Sequence, residues 1–386
     1  MSDPSRMMRL AGVDIGTLTC RLLIADLLLR SLPDTDRSTA ANDPRPSASF
    51  SAGKNPQRIP ANTPPVFPGL RPRIWSHLLR LVTNGNVGQA PSGRLIEVRS
   101  ERRILRLGEG VDQTKQLSGA AMDRVLQCLR EWREMIDASH VDAATAVATS
   151  AVRDAENRDE FLDRVKREAG FEVELLSGEE EARRTLLGIR SGLPVGVIDL
   201  LALDIGGGST EFILDRPVQT PVVRSIDIGV VRLCERLLHH DPPTDEEIRQ
   251  AREWVARETK AAIAGIGNYQ KATFVGTAGT ITSLAAMAQK LPAYEPARIH
   301  NYMLKLDTIR ELEQTLLSRK KADRVGLPGL EKGREEVIAA GVIIIRIVME
   351  TLSQKECLVS DLGLREGVLI DLAAQGTRRP GGISID

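Results

Sequence analysis

Short apolar runs alternate with amphipathic stretches along most of the chain. Residues 9–29 read as two apolar strands folded about Gly16. From Ser31 to Gly93 the pattern lapses, and ten of the twenty prolines fall there among many Ser, Asn, Arg and Gly residues. Such a stretch buries too little apolar surface to offset its ordering entropy, so it is expected to be a disordered insertion in the first hairpin region. Arg73 to Val82 is expected to make one amphipathic turn within it. Strands are expected again at 94–98 and 102–107. Ser118 is placed to cap a helix through Ile136, 143–149 reads as a strand, and 157–168 reads as a helix ended by Gly170. A strand from Phe171 and a helix from Ser177–Gly178 through Ile189 close the first half. The second half predicts strands at 197–205, 210–214 and 221–226, then helices at 229–238 and 244–265. A strand ends at Gly276, helices follow at 306–320 and 334–352, and a strand at 357–360 precedes a final helix from Leu364. A strand hairpin followed by helix–strand alternation, written twice, predicts two α/β domains with an interdomain cleft, over 9–190 and 195–375, with a tail at 376–386.

Composition narrows the function. Lys+Arg and Asp+Glu both total 52, so net charge is near zero, which argues against a nucleic-acid polymer as partner. Aromatics are only 3%, leaving few platforms for base stacking. Within the insertion seven Lys/Arg face three Asp, a surplus that could attract a polyanion, although a solvated loop with no role is the favoured reading. Cys20, Cys128, Cys234 and Cys357 are far apart and form no zinc or disulfide pattern, as in a reducing compartment. The apolar stretch Val337–Met349 is interrupted by Arg346 and too short to span a bilayer. A cytoplasmic enzyme with no membrane association is the expectation.

One phrase occurs twice. Val13-Asp14-Ile15-Gly16-Thr17 returns as Leu203-Asp204-Ile205-Gly206-Gly207-Gly208-Ser209-Thr210. Each copy is a strand, an Asp, a glycine turn with hydroxyls, and another strand. Backbone N–H groups at such turns bind phosphate, and an Asp at the strand end suits Mg²⁺ or its water shell. Two facing copies would grip a phosphate chain with a metal between them. His240–Asp241 has no companion metal spacing and reads as a solvated loop.

These phrases resemble the actin, sugar-kinase and heat-shock ATPase superfamily. Within it, Ala148-Thr-Ser-Ala-Val-Arg153, Leu176-Ser-Gly-Glu-Glu-Glu181-Ala-Arg, Asp204 to Glu211, Gly276-Thr-Ala-Gly-Thr, Leu327-Pro-Gly-Leu and Ser360-Asp-Leu-Gly-Leu-Arg-Glu-Gly367 are similar to the exopolyphosphatase/guanosine pentaphosphate phosphohydrolase (Ppx/GppA) family, in family order. The resemblance implies two actin-like (ribonuclease H-like) domains in the short two-domain form. It implies hydrolysis of terminal phosphoanhydride bonds of inorganic polyphosphate, with guanosine pentaphosphate as the alternative substrate. Two further readings are a non-catalytic polyphosphate or nucleotide sensor and an ATPase module acting through partners. Glu181 is implied as general base, although Glu179 and Glu180, with Arg183 and Arg184 four residues on, read as surface ion pairs. Arg153 is implied to reach the phosphate chain. Gly16, Thr17, Thr19, Arg21, Gly206, Gly207, Gly208, Ser209, Thr210, Gly276 and Gly279 are the expected phosphate-binding set. Asp204, Glu211 and Asp14 are expected to hold Mg²⁺, with K⁺ as an optional companion, in a homodimer. Leu18 departs from the family pattern by replacing an amide in the first loop, which puts affinity or substrate preference in question.

Overall fold

The computed structural model describes residues 6–29 and 93–376. The expected amphipathic turn at 73–82, most of the insertion and most of the tail lie outside the described residues.

In the first lobe the strands are β1 (Arg6–Ile15), β2 (Thr19–Leu29), β3 (Gly93–Ile104), β4 (Ala143–Ala148) and β5 (Val173–Leu175). Its helices are α1 (Val111–Thr114), α2 (Gly119–Ala138), α3 (Ser150–Asp154), α4 (Arg158–Ala169) and α5 (Gly178–Gly192). In the second lobe the strands are β6 (Leu200–Ile205), β7 (Thr210–Asp215), β8 (Val222–Ile226), β9 (Thr273–Thr277), β10 (Met303–Lys305) and β11 (Glu356–Val359). Its helices are α6 (Val230–Leu237), α7 (Asp245–Ile263), α8 (Ala278–Ala288), α9 (Pro296–Ile299), α10 (Leu306–Leu317), α11 (Lys321–Arg324), α12 (Ile338–Thr351) and α13 (Leu364–Gly376).

The first sheet runs β3-β2-β1-β4-β5 and the second β8-β7-β6-β9-β11-β10. In each, a three-strand antiparallel meander continues into parallel strands, so the two lobes share one ribonuclease H-like plan. The second lobe adds β10 as an antiparallel edge. The two strands expected at 94–98 and 102–107 form one strand, β3, whose register on β2 shifts between Ile24 and Ala25. A bulge there absorbs the extra residue, so the break in apolar pattern does not break the strand.

Packing of the helices crosses the chain-order division. Helix α5 precedes the expected boundary, yet Ala182, Leu186 and Ile189 pack with Leu200, Ala202 and Ile213 of the second sheet. Helix α13 returns from the second lobe: Leu369 and Ala373 join Leu10, Leu23 and Leu27 of the first sheet. The two helices cross at glycines. A Cβ on Gly188 would lie 1.8 Å from the Gly363 carbonyl oxygen, and one on Gly367 1.6 Å from that of Arg184. Away from this crossing the lobes are tied by ion pairs. Arg106 of the first lobe meets Glu336 at 2.7 Å, and Arg236 of the second meets Asp112 at 2.5 Å. Arg232 pairs with Asp112 and Asp154.

Candidate functional site

Both glycine turns lie at the base of an interlobe cleft of about 1060 Å³. They share one internal bond: the Gly16 N–H donates to Thr19 O at 3.2 Å, and the Gly206 N–H to Ser209 O at 2.9 Å. Among the described residues the N–H groups of Thr17, Leu18 and Gly207, all on the cleft wall, find no partner, which leaves three donors for a ligand. The turns touch. A Cβ on Gly207 would lie 2.7 Å from Thr17 Cβ, and one on Gly208 2.8 Å from Ser150 Oγ. Neither turn contains a glycine at positive φ. Gly207 and Gly208 are required by close approach of the other lobe, and Gly16 by the Thr19 carbonyl oxygen of its own turn, 2.7 Å from an added Cβ; none is required by left-handed backbone.

The strand pairing sets the charges. Asp14 at the end of β1 is cross-strand to Arg21, whereas Asp204 at the equivalent place in β6 is cross-strand to Glu211. Glu181 enters from the first turn of α5, whose N-cap Ser177 accepts the Glu180 N–H at 3.2 Å. Asp14, Glu181 and Asp204 line the cleft, and Glu211 is buried behind them. Burial pushes the Asp14 carboxyl up to about 6, with Arg21 opposing and Asp204 adding to the rise. Burial, then Glu211 and Asp204, hold Glu181 well above the usual carboxylate range against the pull of Arg153. Burial also raises Asp204, opposed by Arg21 and by the Thr185 hydroxyl, which donates to it at 3.3 Å. Glu211 is pushed up to about 7 by burial and by Asp204, while Ser209 and Ser225 oppose. Asp14 Oδ1 and Glu211 Oε2 are buried with no partner. Unpaired carboxylate oxygens of this kind suit a cation. Among the described residues no three Asp, Glu, His or Cys side chains make a ready metal cage.

Several expected residues are placed differently. Arg153 does not line the cleft; its Nη1 donates to Leu176 O at 2.7 Å and to Glu181 Oε2 at 3.4 Å, so it holds the carboxylate. The Thr210 hydroxyl donates to Ile228 O at 2.5 Å, and Ser209 is buried beside Glu211. Both are spent on the hairpin itself and offer no hydroxyl to the cleft. Gly276 is a packing glycine against Ile281 and Cys357, whereas Gly279 lines the cleft. Gly16, Thr17, Thr19, Arg21, Gly206 and Gly207 line it as well, and Gly208 sits behind Gly207 against Ser150. Thr17 Oγ1 shares a 2.8 Å bond with Ser150 Oγ, so the main chain of Thr17, more than its hydroxyl, faces a ligand. Leu18 is 6% exposed and joins the second lobe's apolar cluster with Ile205, Ile228 and Val230, where an amide would find no such packing.

The sequence reading did not single out Ser150, Arg102 or Arg334. Arg102 and Arg334 line the cleft with Arg21 and Arg365, and these four arginines offset part of the charge of the carboxylates that line it. Arg334 stands next to the Leu327-Pro-Gly-Leu phrase, but no local pattern marks it off from the other arginines.

A family profile described as the Ppx/GppA phosphatase family matches residues 87–375. The chain belongs to this family. Exopolyphosphatase 2 of Mycobacterium tuberculosis is 34% identical over 290 residues, 73% of this chain and 91% of that protein. A guanosine-5′-triphosphate,3′-diphosphate pyrophosphatase of Aeromonas hydrophila is 29% identical over 285 residues, 73% of this chain and 55% of that protein. The crystal structure of the Aquifex aeolicus Ppx/GppA family member matches with a TM-score of 0.68 at 28% identity, over 97% of this chain and 100% of that one. The Ppx/GppA profile begins beyond the first hairpin, which the fold restores by pairing β1 with β4 and β2 with β3. Among the described residues no helix is long and apolar enough to cross a membrane.

Proposed function

We propose that this protein is an exopolyphosphatase, which hydrolyses the terminal phosphoanhydride of inorganic polyphosphate and releases orthophosphate. The observation that carries this reading is the meeting of two donor-rich turns, one from each lobe, at the base of a cleft that Glu181 also lines. The free N–H groups of Thr17, Leu18 and Gly207 take the oxygens of the terminal phosphate and fix it in line with a water. Glu181 removes a proton from that water as its oxygen attacks phosphorus and the bridging P–O bond breaks. Arg153 aims the Glu181 carboxylate and opposes the rise that burial imposes on it, and Arg21 offsets charge on the polyphosphate. Asp14 and Asp204, with Glu211 behind, are the residues that would hold Mg²⁺, which would neutralise phosphate charge as it develops.

Phosphate release from long-chain polyphosphate is expected to fall at least about a thousandfold in Glu181→Gln, within the range of general-base loss, while the folded spectrum persists. Turnover within tenfold of wild type removes Glu181 from this role. Guanosine pentaphosphate is the second reading. The cleft runs past the turns to an apolar wall of Leu23, Ala25, Leu28 and Leu95, where a nucleoside could lie, and the Aeromonas relative's name specifies such a substrate. Comparing kcat/KM on the two substrates decides between them. A cytoplasmic homodimer, with Mg²⁺ and K⁺ as the ions to supply, completes the proposal; light scattering and ion titrations test it.

A further inference from the structure

Arg102 on β3 and Arg334 in the loop before α12 approach the cleft from opposite lobes. Glu331 stands between them. Its Oε1 lies 2.7 Å from Arg102 Nη2 and its Oε2 accepts from Arg334 Nε at 2.8 Å. One carboxylate therefore bridges two guanidinium groups, using the donor geometry that phosphate oxygens also use. The bridge leaves Arg334 unsatisfied. Its side chain is 4% exposed, and its Nη2 has no partner among the described residues. Burial pulls the guanidinium below its usual range, and Arg21 and Arg102 add to that pull against Glu331. The group is packed against Gly279, at the cleft wall. Arg102 lies over the Tyr294 ring at 4.6 Å, and the Tyr294 hydroxyl is bonded to Asp361. Glu331 itself is off the cleft wall and 24% exposed, close enough to solvent to exchange partners.

We propose that Glu331 is an internal anion that competes with the incoming polyphosphate for Arg102 and Arg334, and so sets how much charge a substrate needs to bind. A short polyanion exchanges with the carboxylate at little net gain. A long one engages both arginines and the turns together. This rests on the phosphoanhydride-hydrolase reading of the cleft. A residue that merely props Arg334 would behave in the opposite way, because its loss would weaken binding.

The test uses Glu331→Gln, which keeps shape but removes charge, and Glu331→Asp, which keeps the charge. Inorganic tripolyphosphate and long-chain polyphosphate are titrated by calorimetry and assayed for phosphate release. Glu331→Gln is expected to bind tripolyphosphate about tenfold tighter, with a smaller gain for the long chain, and to lower KM at unchanged kcat. Glu331→Asp is expected to stay within about threefold of wild type. Equal or weaker binding by Glu331→Gln, or a raised KM with a lowered kcat, overturns the proposal. Tighter binding with no phosphate release by wild type would overturn the hydrolase reading and leave the competition intact. No binding by either protein overturns both.

Discussion

Glycine 188 gives the most direct link between packing and chemistry. A Cβ there would sit 1.8 Å from Gly363 O, 2.7 Å from its carbonyl carbon and 3.0 Å from its Cα. Side-chain carbons essentially never lie within 3.0 Å of such atoms, so Gly188→Ala must part α5 from α13 by about 1.2 Å. The obstacle is backbone, which cannot swing aside as a side chain would. Overpacking of this kind costs about 1–3 kcal/mol. Because Glu181 lies two turns upstream on the same helix, the shift reaches the carboxylate. A misplacement of about 1 Å costs roughly a hundredfold in rate, so phosphate release per folded molecule is expected to drop by about that factor. Urea unfolding measures the first quantity, and initial rates normalised to the folded fraction measure the second. Gly196→Ala is the control, since nothing lies within 4 Å of its added Cβ. It is expected to stay within about 0.5 kcal/mol of wild type. A Gly188→Ala protein as stable and as fast as this control would refute the claim that the helix crossing positions Glu181.

Two other substitutions probe the base of the cleft. Glu211 is raised from 4.5 to about 7, so between those values the folded state binds more protons than the unfolded one and stability falls as pH rises. Above the folded value the full penalty remains, so Glu211→Gln is expected to raise unfolding free energy at pH 8 by on the order of 3 kcal/mol in chelator, with no gain at pH 4; a gain at both pH values, or at neither, contradicts this. Leu18→Ala removes an apolar side chain that the first hairpin inserts into the second lobe, and unfolding in urea is expected to show a loss of about 2–4 kcal/mol.

The doubled fold was legible because each lobe writes its own strand hairpin around an Asp-Gly turn and its own helix–strand alternation. What periodicity does not carry is which sheet a helix chooses. Helices α5 and α13 are amphipathic or apolar enough for either lobe, and only the Gly188–Gly363 and Gly367–Arg184 contacts show why they exchange sides. The turns were legible as a pair, but the fate of each hydroxyl was not. Thr210 and Ser209 look like phosphate ligands in the chain and are consumed by Ile228 O and Glu211 in three dimensions. Leu18 reads as a lost amide, yet its burial with Ile205 and Val230 makes it an interlobe contact. Arg102 and Arg334 come from segments more than two hundred residues apart, and only the cleft brings them together.

The charge arrangement explains why a site can be both strained and ready. Four carboxylates, Asp14, Glu181, Asp204 and Glu211, converge where burial disfavours every one of their ionised forms. Left alone, such a cluster takes up protons, and a protonated Glu181 cannot accept one from water. A polyanion by itself would worsen the repulsion. The base of the cleft therefore binds substrate productively only together with positive charge, and the chain supplies part of it through Arg21 and Arg153. The two unpartnered oxygens, on Asp14 and Glu211, measure the remainder. A bound cation would satisfy them, release protons from the cluster and leave Glu181 ionised in the same event. Under the proposed mechanism, such a cation would tie the activation of Glu181 to its own arrival with the phosphate chain.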